Sequence, residues 1–212
     1  MTDEVATIRP LVAVLDYGIG NLRSAQKALE KVGANAVLTA DRGLIGDAAG
    51  IVLPGVGSYG PCMQALRKAR LDQLAIAAIK AERHFLGVCI GMQMLFEGSE
   101  ESPGVNGLGV FPGRVRRLPA GEKHPQMQWN VLDVKRPCSL LDGLAEPTWM
   151  YFVHSFAADA DAADVVATCD YGSPVTAMVG RDHVWATQFH PEKSSGAGLG
   201  LLANFVRLCA AA

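Results

Sequence analysis

Four short apolar runs divide the first half of the chain. The run at residues 11–15 reads Leu-Val-Ala-Val-Leu, and the others lie at residues 36–38, 50–53 and 85–88. Continuous apolar runs of this length, without alternation of polar residues, are typical of strands that are buried on both faces of a parallel sheet. The pattern therefore predicts a parallel sheet built from the first half of the chain.

Amphipathic segments separate these runs. Residues 21–31 read as a helix with Asn21 near its N-cap and Gly33 as its stop signal. Residues 61–81 place apolar side chains among charged ones, which predicts a surface helix or two, and residues 90–96 predict another helix. Strands and helices thus alternate. This predicts an α/β fold with helices on both faces of the sheet and with the chemistry at the carboxyl ends of the strands.

The second half of the chain has shorter strand-like pieces, which proline and glycine interrupt. Apart from an Ala-rich patch at residues 157–163 it contains no low-complexity segment, and residues 198–209 predict a closing amphipathic helix. We expect the pieces to be mixed or antiparallel additions to the same sheet, in one domain over residues 10–212 after a short extension at residues 1–9. The predicted strands are residues 115–118, 131–134, 150–153, 165–168, 176–179 and 184–189.

Composition narrows the class of protein. The 212 residues are 50% hydrophobic and 19% charged, with a formal net charge of -2, as in an ordinary globular domain. A mildly acidic chain without a basic run offers no electrostatic attraction to nucleic acid or membranes, so chemistry on a small molecule is favoured. The five cysteines lie far apart, without the spacing of a disulfide framework or a metal site. They predict reduced thiols in a cytoplasmic protein, and no metal or cofactor is expected.

The strongest candidate for chemistry is a cysteine at the end of the fourth apolar run. Cys89 lies between Gly87 and Gly91 in Gly-Val-Cys-Ile-Gly, directly before a helix-forming segment. This is the form of a nucleophile elbow, with sulfur in place of the serine oxygen. The positive end of the following helix and its first backbone N–H groups favour a thiolate and the oxyanion that it generates. Taken alone, the motif is equally compatible with a buried cysteine in a tight turn.

A histidine and a carboxylate follow far downstream in His190-Pro191-Glu192. The proline holds the segment extended, so alternate residues face the same side and Glu192 can orient the His190 ring. The other ring nitrogen would then take the proton of the Cys89 thiol. A zinc deaminase also uses His-x-Glu, but the Cys-x-x-Cys that it requires occurs nowhere in the sequence. The two motifs together favour a Cys89–His190–Glu192 triad.

Two glycine-rich loops follow predicted strands. Residues 18–23 begin like the dinucleotide-binding fingerprint, but Arg23 stands where the third glycine belongs, so nucleotide binding is disfavoured. Pro54-Gly55-Val56-Gly57 ends the strand next to the elbow strand. A backbone N–H of this loop can supply the second donor of an oxyanion hole, beside the N–H of Ile90. An ordinary strand-to-helix turn is the alternative for this motif.

Together, the motifs at residues 54–57, 87–93 and 189–193 resemble those of the triad-type (class I) glutamine amidotransferases. The resemblance extends from about residue 11 to about residue 209 and implies that family's fold, a flavodoxin-like core with an open, mixed, mainly parallel sheet. Three further segments are similar to the glutaminase subunits of imidazole glycerol phosphate synthase, from histidine biosynthesis: Asp16-Tyr17-Gly18-Ile19-Gly20-Asn21-Leu22, Gln128-Trp129-Asn130 and Tyr151-Phe152-Val153-His154-Ser155-Phe156.

The resemblance implies that Cys89 attacks the side-chain amide of glutamine, releases ammonia and leaves a γ-glutamyl thioester that water hydrolyses. His190 would be the general base and then the acid, oriented by Glu192. Ammonia would pass to a separate (β/α)8-barrel cyclase subunit, which forms imidazole glycerol phosphate and an aminoimidazole carboxamide ribotide. In such pairs the occupied cyclase activates the glutaminase, and the backbone of residues 54–57 would rotate to form the oxyanion hole.

The resemblance also implies roles for residues outside the triad. The oxyanion hole would be formed by Val56, Gly57 and Ile90. Glu101 would face the α-ammonium group of glutamine, and the residues that would hold the substrate, together with Gly57, are Gly55, Gln93, Glu101, Ser155 and Phe156. The residues that would contact the cyclase in a heterodimer are Asn21, Trp129, Asn130 and Lys193.

The chain departs from the family in two places. Where Pro-His-Met-Gly-Trp-Asn is common, residues 125–130 read Pro-Gln-Met-Gln-Trp-Asn, which places Gln126 and Gln128 near the expected cyclase contact. Phe156 stands where tyrosine is frequent, whereas the triad is unchanged.

Three alternatives share parts of this pattern. The first is a glutaminase subunit for anthranilate, aminodeoxychorismate or pyridoxal phosphate synthesis; the turn at residues 16–21 and the Trp129-Asn130 pair argue against it. The second is a cysteine peptidase-like or chaperone-like protein of the same architecture, which would lack a glutamine-shaped pocket. The third is a non-catalytic scaffold, which the complete set of Cys89, His190 and Glu192 disfavours.

Overall fold

An eight-stranded sheet lies at the centre of the computed structural model, which describes residues 9–211. The extension predicted at residues 1–9 lies outside the described residues, apart from Arg9. The twelve strands are β1 Leu11–Leu15, β2 Asn35–Thr39, β3 Gly50–Gly55, β4 His84–Cys89, β5 Gly113–Arg117, β6 Gln126–Val131, β7 Asp133–Val134, β8 Trp149–His154, β9 Phe156–Ala160, β10 Val165–Asp170, β11 Pro174–Arg181 and β12 Val184–Thr187.

Six α-helices and two short 3₁₀ turns accompany the strands. None of the helices within residues 9–211 is both long and apolar enough to cross a lipid bilayer. The helices are α1 Leu22–Lys31, α2 Arg42–Asp47, α3 Tyr59–Lys68, α4 Leu71–Lys80, α5 Ile90–Met94 and α6 Ser195–Ala210, and the 3₁₀ turns are Ser139–Leu141 and Pro191–Lys193.

The main sheet runs in the order β2-β1-β3-β4-β12-β11-β10-β7. The first five strands of that order are parallel, and β11, β10 and β7 extend the sheet in antiparallel fashion. The predicted α/β class with a mixed, mainly parallel sheet is therefore confirmed. Because β3 and β4 pair up to Gly55 and Cys89, the carboxyl ends of these two strands lie side by side.

Buried apolar residues explain the parallel half. In β1 four of the five residues are buried, and all six residues of β3 are buried. The surface helix or two predicted at residues 61–81 are two helices, α3 and α4, separated at Arg70, which adopts a left-handed conformation with φ of 58°. The short helix α2 escaped prediction; it contains two glycines, which weaken a helical pattern.

One prediction for the second half is wrong. We expected all its strands to extend the main sheet, but β5 pairs with β9, and β6 pairs with β8, in two separate antiparallel ribbons. The predicted strand at residues 131–134 is divided at Leu132, between β6 and β7. The Ala-rich patch forms much of β9, although alanine is a weak strand former, because it pairs along β5. An alternation of apolar and polar residues identifies a strand but does not determine which strand it pairs with.

Candidate active site

A cavity of about 420 Å³ opens at the carboxyl ends of β3 and β4. Its volume lies in the range of pockets that bind small molecules. Main-sheet loops form one side, and the ribbon of β6 and β8 forms the other. The residues that line it are Asn21, Val56, Gly57, Cys89, Ile90, Gln93, Glu101, Pro125, Val153, His154, Ser155, Phe156, His190 and Lys193.

Cys89 sits at a strained turn between β4 and α5. Its φ of 56° and ψ of -111° are unusual for a residue with a side chain, and such strain clusters at functional sites. The neighbouring glycines permit the turn. A Cβ on Gly91 would overlap the carbonyl oxygen of Leu53 in β3, and one on Gly87 would press on Gly91 and Leu95. The predicted nucleophile elbow is thus present, with a helix shorter than the predicted residues 90–96.

His190 and Glu192 form a buried pair beside Cys89. The Nδ1 atom of His190 lies 2.8 Å from Oε1 of Glu192, and the two side chains are only 2% and 6% exposed. Glu192 reaches the ring through the 3₁₀ turn Pro191–Lys193, not through the extended segment that we predicted. Since Nδ1 faces Glu192, the Nε2 atom of the ring is the one left for Cys89.

The electrostatics of this pair favour a charged ring. Burial by itself lowers the pKa of His190, but hydrogen bonds to Cys89 and Glu192 outweigh it and raise the pKa well above the usual value for histidine. The ring therefore keeps a proton near neutral pH, next to the sulfur. An imidazolium beside a cysteine is the arrangement that activates a thiolate nucleophile.

Two buried glutamines connect the start of β9 with Cys89. Gln93 Nε2 donates to the backbone oxygen of Phe156 and to Oε1 of Gln188, each at 3.0 Å. Gln188 Nε2 in turn lies 3.8 Å from Sγ of Cys89. Gln93 is 1% exposed and lines the cavity, and its Oε1 atom has no hydrogen-bond partner within residues 9–211. That oxygen is a buried acceptor behind the cavity wall.

His154 is a second buried histidine in the cavity wall. Its Nδ1 lies 2.8 Å from the oxygen of Phe156, so Nδ1 carries the hydrogen, and Nε2 has no partner among the described residues. Burial lowers the pKa of His154 to about 4, although the bond to Phe156 acts in the opposite direction and His190 adds to the lowering. His154 is therefore a neutral residue that fixes the Phe156 carbonyl.

Two side chains hold the end of β3 and the loop after it by hydrogen bonds to the backbone. The hydroxyl of Tyr17 donates to the oxygen of Pro54 at 2.6 Å, and the thiol of Cys62 donates to the oxygen of Val56 at 3.4 Å. Gly57 has a φ of 92°, a region that favours glycine. Beyond it, Glu101 accepts from the backbone N–H of Tyr59 at 2.7 Å and so caps α3 while lining the cavity.

The structure brings most of the predicted site residues together. Except for Gly55 and Glu192, every residue predicted for the triad, the oxyanion hole or the substrate lines the cavity. Glu192 lies behind the His190 ring, as its predicted role requires. Gly55 lies beneath the floor, where a Cβ would meet Tyr17, Ile90 and Gly91. The geometry thus gives Gly55 a packing role where the sequence predicted substrate contact.

The residues predicted to contact a partner differ in availability. Asn21 and Lys193 are exposed at the cavity, and Trp129 is 46% exposed. Asn130 uses its amide within the chain, because it donates to the oxygen of Asp170 and accepts from the N–H of Val131.

The two glutamines that depart from the common family sequence, Gln126 and Gln128, differ in exposure. Gln126 is fully buried and donates to Cys169, so it does not belong to the surface, whereas Gln128 is exposed.

Four site residues escaped the sequence analysis: Gln188, His154, Tyr17 and Cys62. Gln188 directly precedes the motif at residues 189–193, and His154 lies inside the segment Tyr151 to Phe156, so a polar residue at the end of an apolar strand was the available signal. For Tyr17 and Cys62 no local signal exists, because their partners are backbone oxygens 37 and 6 residues away. Within residues 9–211 no three His, Cys, Asp or Glu side chains gather as metal ligands.

Comparison with protein families identifies the architecture. The family model described as Glutamine amidotransferase class-I matches residues 13–209. A protein named imidazole glycerol phosphate synthase subunit HisH, from Methylococcus capsulatus, is 50% identical over 208 residues, with 92% of this chain and 95% of that protein covered. Proteins of the same name from Synechococcus elongatus and Desulfitobacterium hafniense are 48% and 46% identical, covering 96% and 92% of this chain and 95% and 93% of their own lengths.

Solved structures show the same fold at lower identity. A crystal structure of a glutamine amidotransferase aligns with a TM-score of 0.74 at 21% identity, covering 93% of this chain and 98% of that one. The structure of PurLQS from Thermotoga maritima aligns with a TM-score of 0.73 at 22% identity, covering 94% and 98%. These two likenesses concern the fold alone.

Proposed function

The chain belongs to the class I glutamine amidotransferase family, and we propose that it is the glutaminase subunit of an imidazole glycerol phosphate synthase in histidine biosynthesis. One observation carries the chemistry: the buried His190–Glu192 pair and Cys89 meet at the wall of a cavity of about 420 Å³. The reaction is the hydrolysis of glutamine to glutamate and ammonia.

In the first half of the reaction, Sγ of Cys89 attacks the side-chain amide carbon of glutamine. His190 holds the thiol proton on Nε2 and passes it to the leaving nitrogen, so ammonia departs and a γ-glutamyl thioester remains. Glu192 keeps the ring in the required orientation through the 2.8 Å contact with Nδ1. In the second half, His190 takes a proton from water, which attacks the thioester and releases glutamate.

The oxyanion of both steps is bound by backbone N–H groups at the elbow. Ile90 begins α5 directly after Cys89, so its N–H belongs to the positive end of a helix. Val56 and Gly57 face the same cavity from the loop after β3 and supply the second donor. The carbonyls of Pro54 and Val56 are held by Tyr17 and Cys62, so rotation of the peptide between these anchors is the step that a partner can control.

Substrate orientation follows from the charges and backbone groups of the cavity. The carboxylate of Glu101 attracts the α-ammonium group of glutamine, and the backbone at Ser155 and Phe156 engages its α-substituents. The side chain of Gln93 lines the same cavity and holds the Phe156 carbonyl in place. The carboxylate of Glu101 thus places an acceptor where glutamine carries the donors of its α-ammonium group.

The partner is a (β/α)8-barrel cyclase that receives ammonia. Three large apolar side chains on the β6–β8 ribbon support a protein interface beside the cavity: Met127 is 65% exposed, Trp129 46% and Trp149 49%. Asn21 and Lys193 add polar contacts at the cavity mouth. A cytoplasmic location, where free thiols persist, suits the five unpaired cysteines.

One assay tests this function. Glutamine hydrolysis is measured with the chain alone, with the cyclase, and with the cyclase and its bound ligand. We expect slow hydrolysis alone and a sharp rise with the occupied cyclase. Cys89→Ala lowers the rate by about 10³-fold or more, because the nucleophile is lost. Cys138→Ala, which changes a cysteine outside the cavity, keeps the wild-type rate.

The same assay separates the alternatives. Equal hydrolysis with and without the cyclase contradicts a role in histidine biosynthesis and points to another glutaminase subunit. Release of peptides instead of ammonia contradicts the glutaminase. Relatives at 46–50% identity that carry the synthase name favour the histidine assignment over the anthranilate, aminodeoxychorismate and pyridoxal phosphate alternatives.

A further inference from the structure

We propose that Gln188 is an additional catalytic residue, whose side-chain amide donates a hydrogen bond to Sγ of Cys89 and holds the sulfur in its anionic form. The inference rests on the proposed glutaminase function and adds a second donor to the nucleophile beside His190. Its basis is the 3.8 Å contact between Gln188 Nε2 and Sγ and the network that leaves this amide one orientation.

A backbone carbonyl sets the direction of that network. The oxygen of Phe156 can only accept, so the group of Gln93 that faces it at 3.0 Å must be the NH₂. The second hydrogen of that NH₂ points at Gln188, 3.0 Å away, so the atom of Gln188 that faces it must be the oxygen. Reversing either amide would set donor against donor or acceptor against acceptor. The NH₂ of Gln188 is therefore directed at the sulfur.

Burial strengthens the contact between Gln188 and Cys89. Gln188 is 0% exposed and Cys89 is 4% exposed, so water does not compete for either group. A hydrogen bond to a charged acceptor is stronger than one between neutral groups, and more so in a medium of low polarity. An N–H that faces a thiol gains little, whereas the same N–H that faces a thiolate gains a charge-assisted bond. The contact therefore favours the ionised sulfur.

The position of Gln188 in the chain explains how two donors reach one sulfur. Gln188 and His190 are separated by one residue, and both contact Cys89. The residue between them, Phe189, is buried and packs edge-on against Phe152, with ring centroids 5.6 Å apart. The bent segment that follows β12 thus places Gln188 and His190 on the sulfur, with the buried Phe189 between them.

Few other groups near the sulfur change charge around neutral pH. Tyr17 and Cys62 both face it, and burial raises the pKa of each of them, so they stay neutral. His154 has a pKa of about 4 and is neutral as well. The carboxylates of Glu101 and Glu192 lie in the same cavity wall or directly behind it. Reaction of the sulfur between pH 5 and 9 therefore reports mainly on the Cys89–His190 pair and its donors.

The test is the pH dependence of alkylation. The full-length chain is treated with iodoacetamide between pH 4 and 9, and modification of Cys89 is followed by mass spectrometry of its peptide. In Gln188→Met, which keeps the volume but removes the donor, the pH of half-maximal alkylation is expected to rise by about 1 to 2 units. Glutamine hydrolysis with the cyclase falls by about 10- to 100-fold in kcat, with little change in KM.

Gln188→Glu is the second variant. It has the shape of glutamine and keeps an oxygen for Gln93, so it separates loss of the donor from loss of packing. The alkylation midpoint is expected to rise at least as far as in Gln188→Met, because a carboxylate now faces the sulfur. Gln73→Met, on the exposed face of α4, is the matched control and leaves both readouts unchanged.

The outcomes separate the two proposals. If Gln188→Met or Gln188→Glu lowers hydrolysis but leaves the alkylation midpoint at its wild-type value, Gln188 has only a structural role and the inference is wrong. If the midpoint rises as expected, the inference holds, even if the wild-type chain with its cyclase releases no ammonia from glutamine. The absence of ammonia release would overturn the proposed glutaminase function but would not affect the role of Gln188 as a hydrogen-bond donor to Cys89.

Discussion

The elbow and the β6–β8 ribbon face each other across one cavity but are built in opposite ways. Around the elbow every residue from 85 to 96 is buried, and the backbone at Cys89 is strained. Along β8 buried and more exposed residues alternate, so one face of the ribbon packs inward while Trp149 on the other is 49% exposed. Cys89 is therefore held by dense packing, whereas the opposite wall leaves large apolar side chains exposed on one face.

The largest effect is expected from filling the space under the elbow. In Gly91→Ala the new methyl group overlaps the oxygen of Leu53, so α5 cannot stay packed on β3. We expect the free energy of unfolding to fall by about 3 kcal/mol or more, measured by urea denaturation. Gly46→Ala in α2 is the control: nothing lies near its Cβ, so it gains helix propensity and stabilises by about 0.5–1 kcal/mol. Equal stability of wild type and Gly91→Ala would contradict the close packing.

The buried face of the ribbon is expected to be sensitive to acid. His154 has a pKa of about 4 in the folded chain and about 6.5 when unfolded, so between these values the unfolded state binds more protons. Stability therefore falls as the pH drops from about 7 towards 4, by about 2–3 kcal/mol from this residue. His154→Asn keeps a donor for Phe156 but cannot titrate. Urea unfolding at pH 7 and 4.5 should show a smaller loss in the variant, and an identical loss would contradict the buried neutral ring.

The exposed face of the ribbon should affect binding and not folding. Trp129→Ala is expected to weaken binding of the cyclase by about 30-fold, equivalent to about 2 kcal/mol, measured by titration calorimetry. The stability of the free chain should change by no more than about 0.5 kcal/mol. Leu44→Ala provides the control, because Leu44 is similarly exposed, at 40%, on α2. An unchanged affinity in Trp129→Ala would place the cyclase elsewhere.

The smallest effect is expected from removing the hydrogen bond between Tyr17 and the end of β3. Tyr17→Phe removes the buried donor to the oxygen of Pro54 and should destabilise the chain by about 1 kcal/mol in urea unfolding. Tyr171→Phe removes a comparable bond to the oxygen of Lys123 in an exposed setting, so a change below about 0.5 kcal/mol is expected there. If the two substitutions lower the free energy of unfolding by the same amount, burial does not strengthen the hydrogen bond of Tyr17.

Local patterns predicted the parallel strands, the elbow and the triad. The apolar runs of β1, β3 and β4 are continuous and do not show the spacing of an amphipathic helix, so they were identified as buried strands. Gly-x-Cys-x-Gly specifies the turn at Cys89 because only glycine fits at the two flanking positions. His190 and Glu192 are two residues apart, so their pairing is a local property, although a 3₁₀ turn and not an extended segment achieves it. Where a few consecutive residues determine the geometry, the sequence was sufficient.

The tertiary structure decided which distant groups meet. The residue pattern of a strand does not determine which other strand it pairs with. The sequence therefore did not predict that β5 and β9, and β6 and β8, form two ribbons separate from the main sheet. The same limit applies to Gln188, whose neighbours Gln93 and Cys89 lie 95 and 99 residues away, and to Gln126, which the ribbon buries. The residues of the candidate triad were identified from the sequence itself, because each lies in a short local motif. The orientation of the amides around the sulfur depends on a backbone carbonyl that only folding brings within reach.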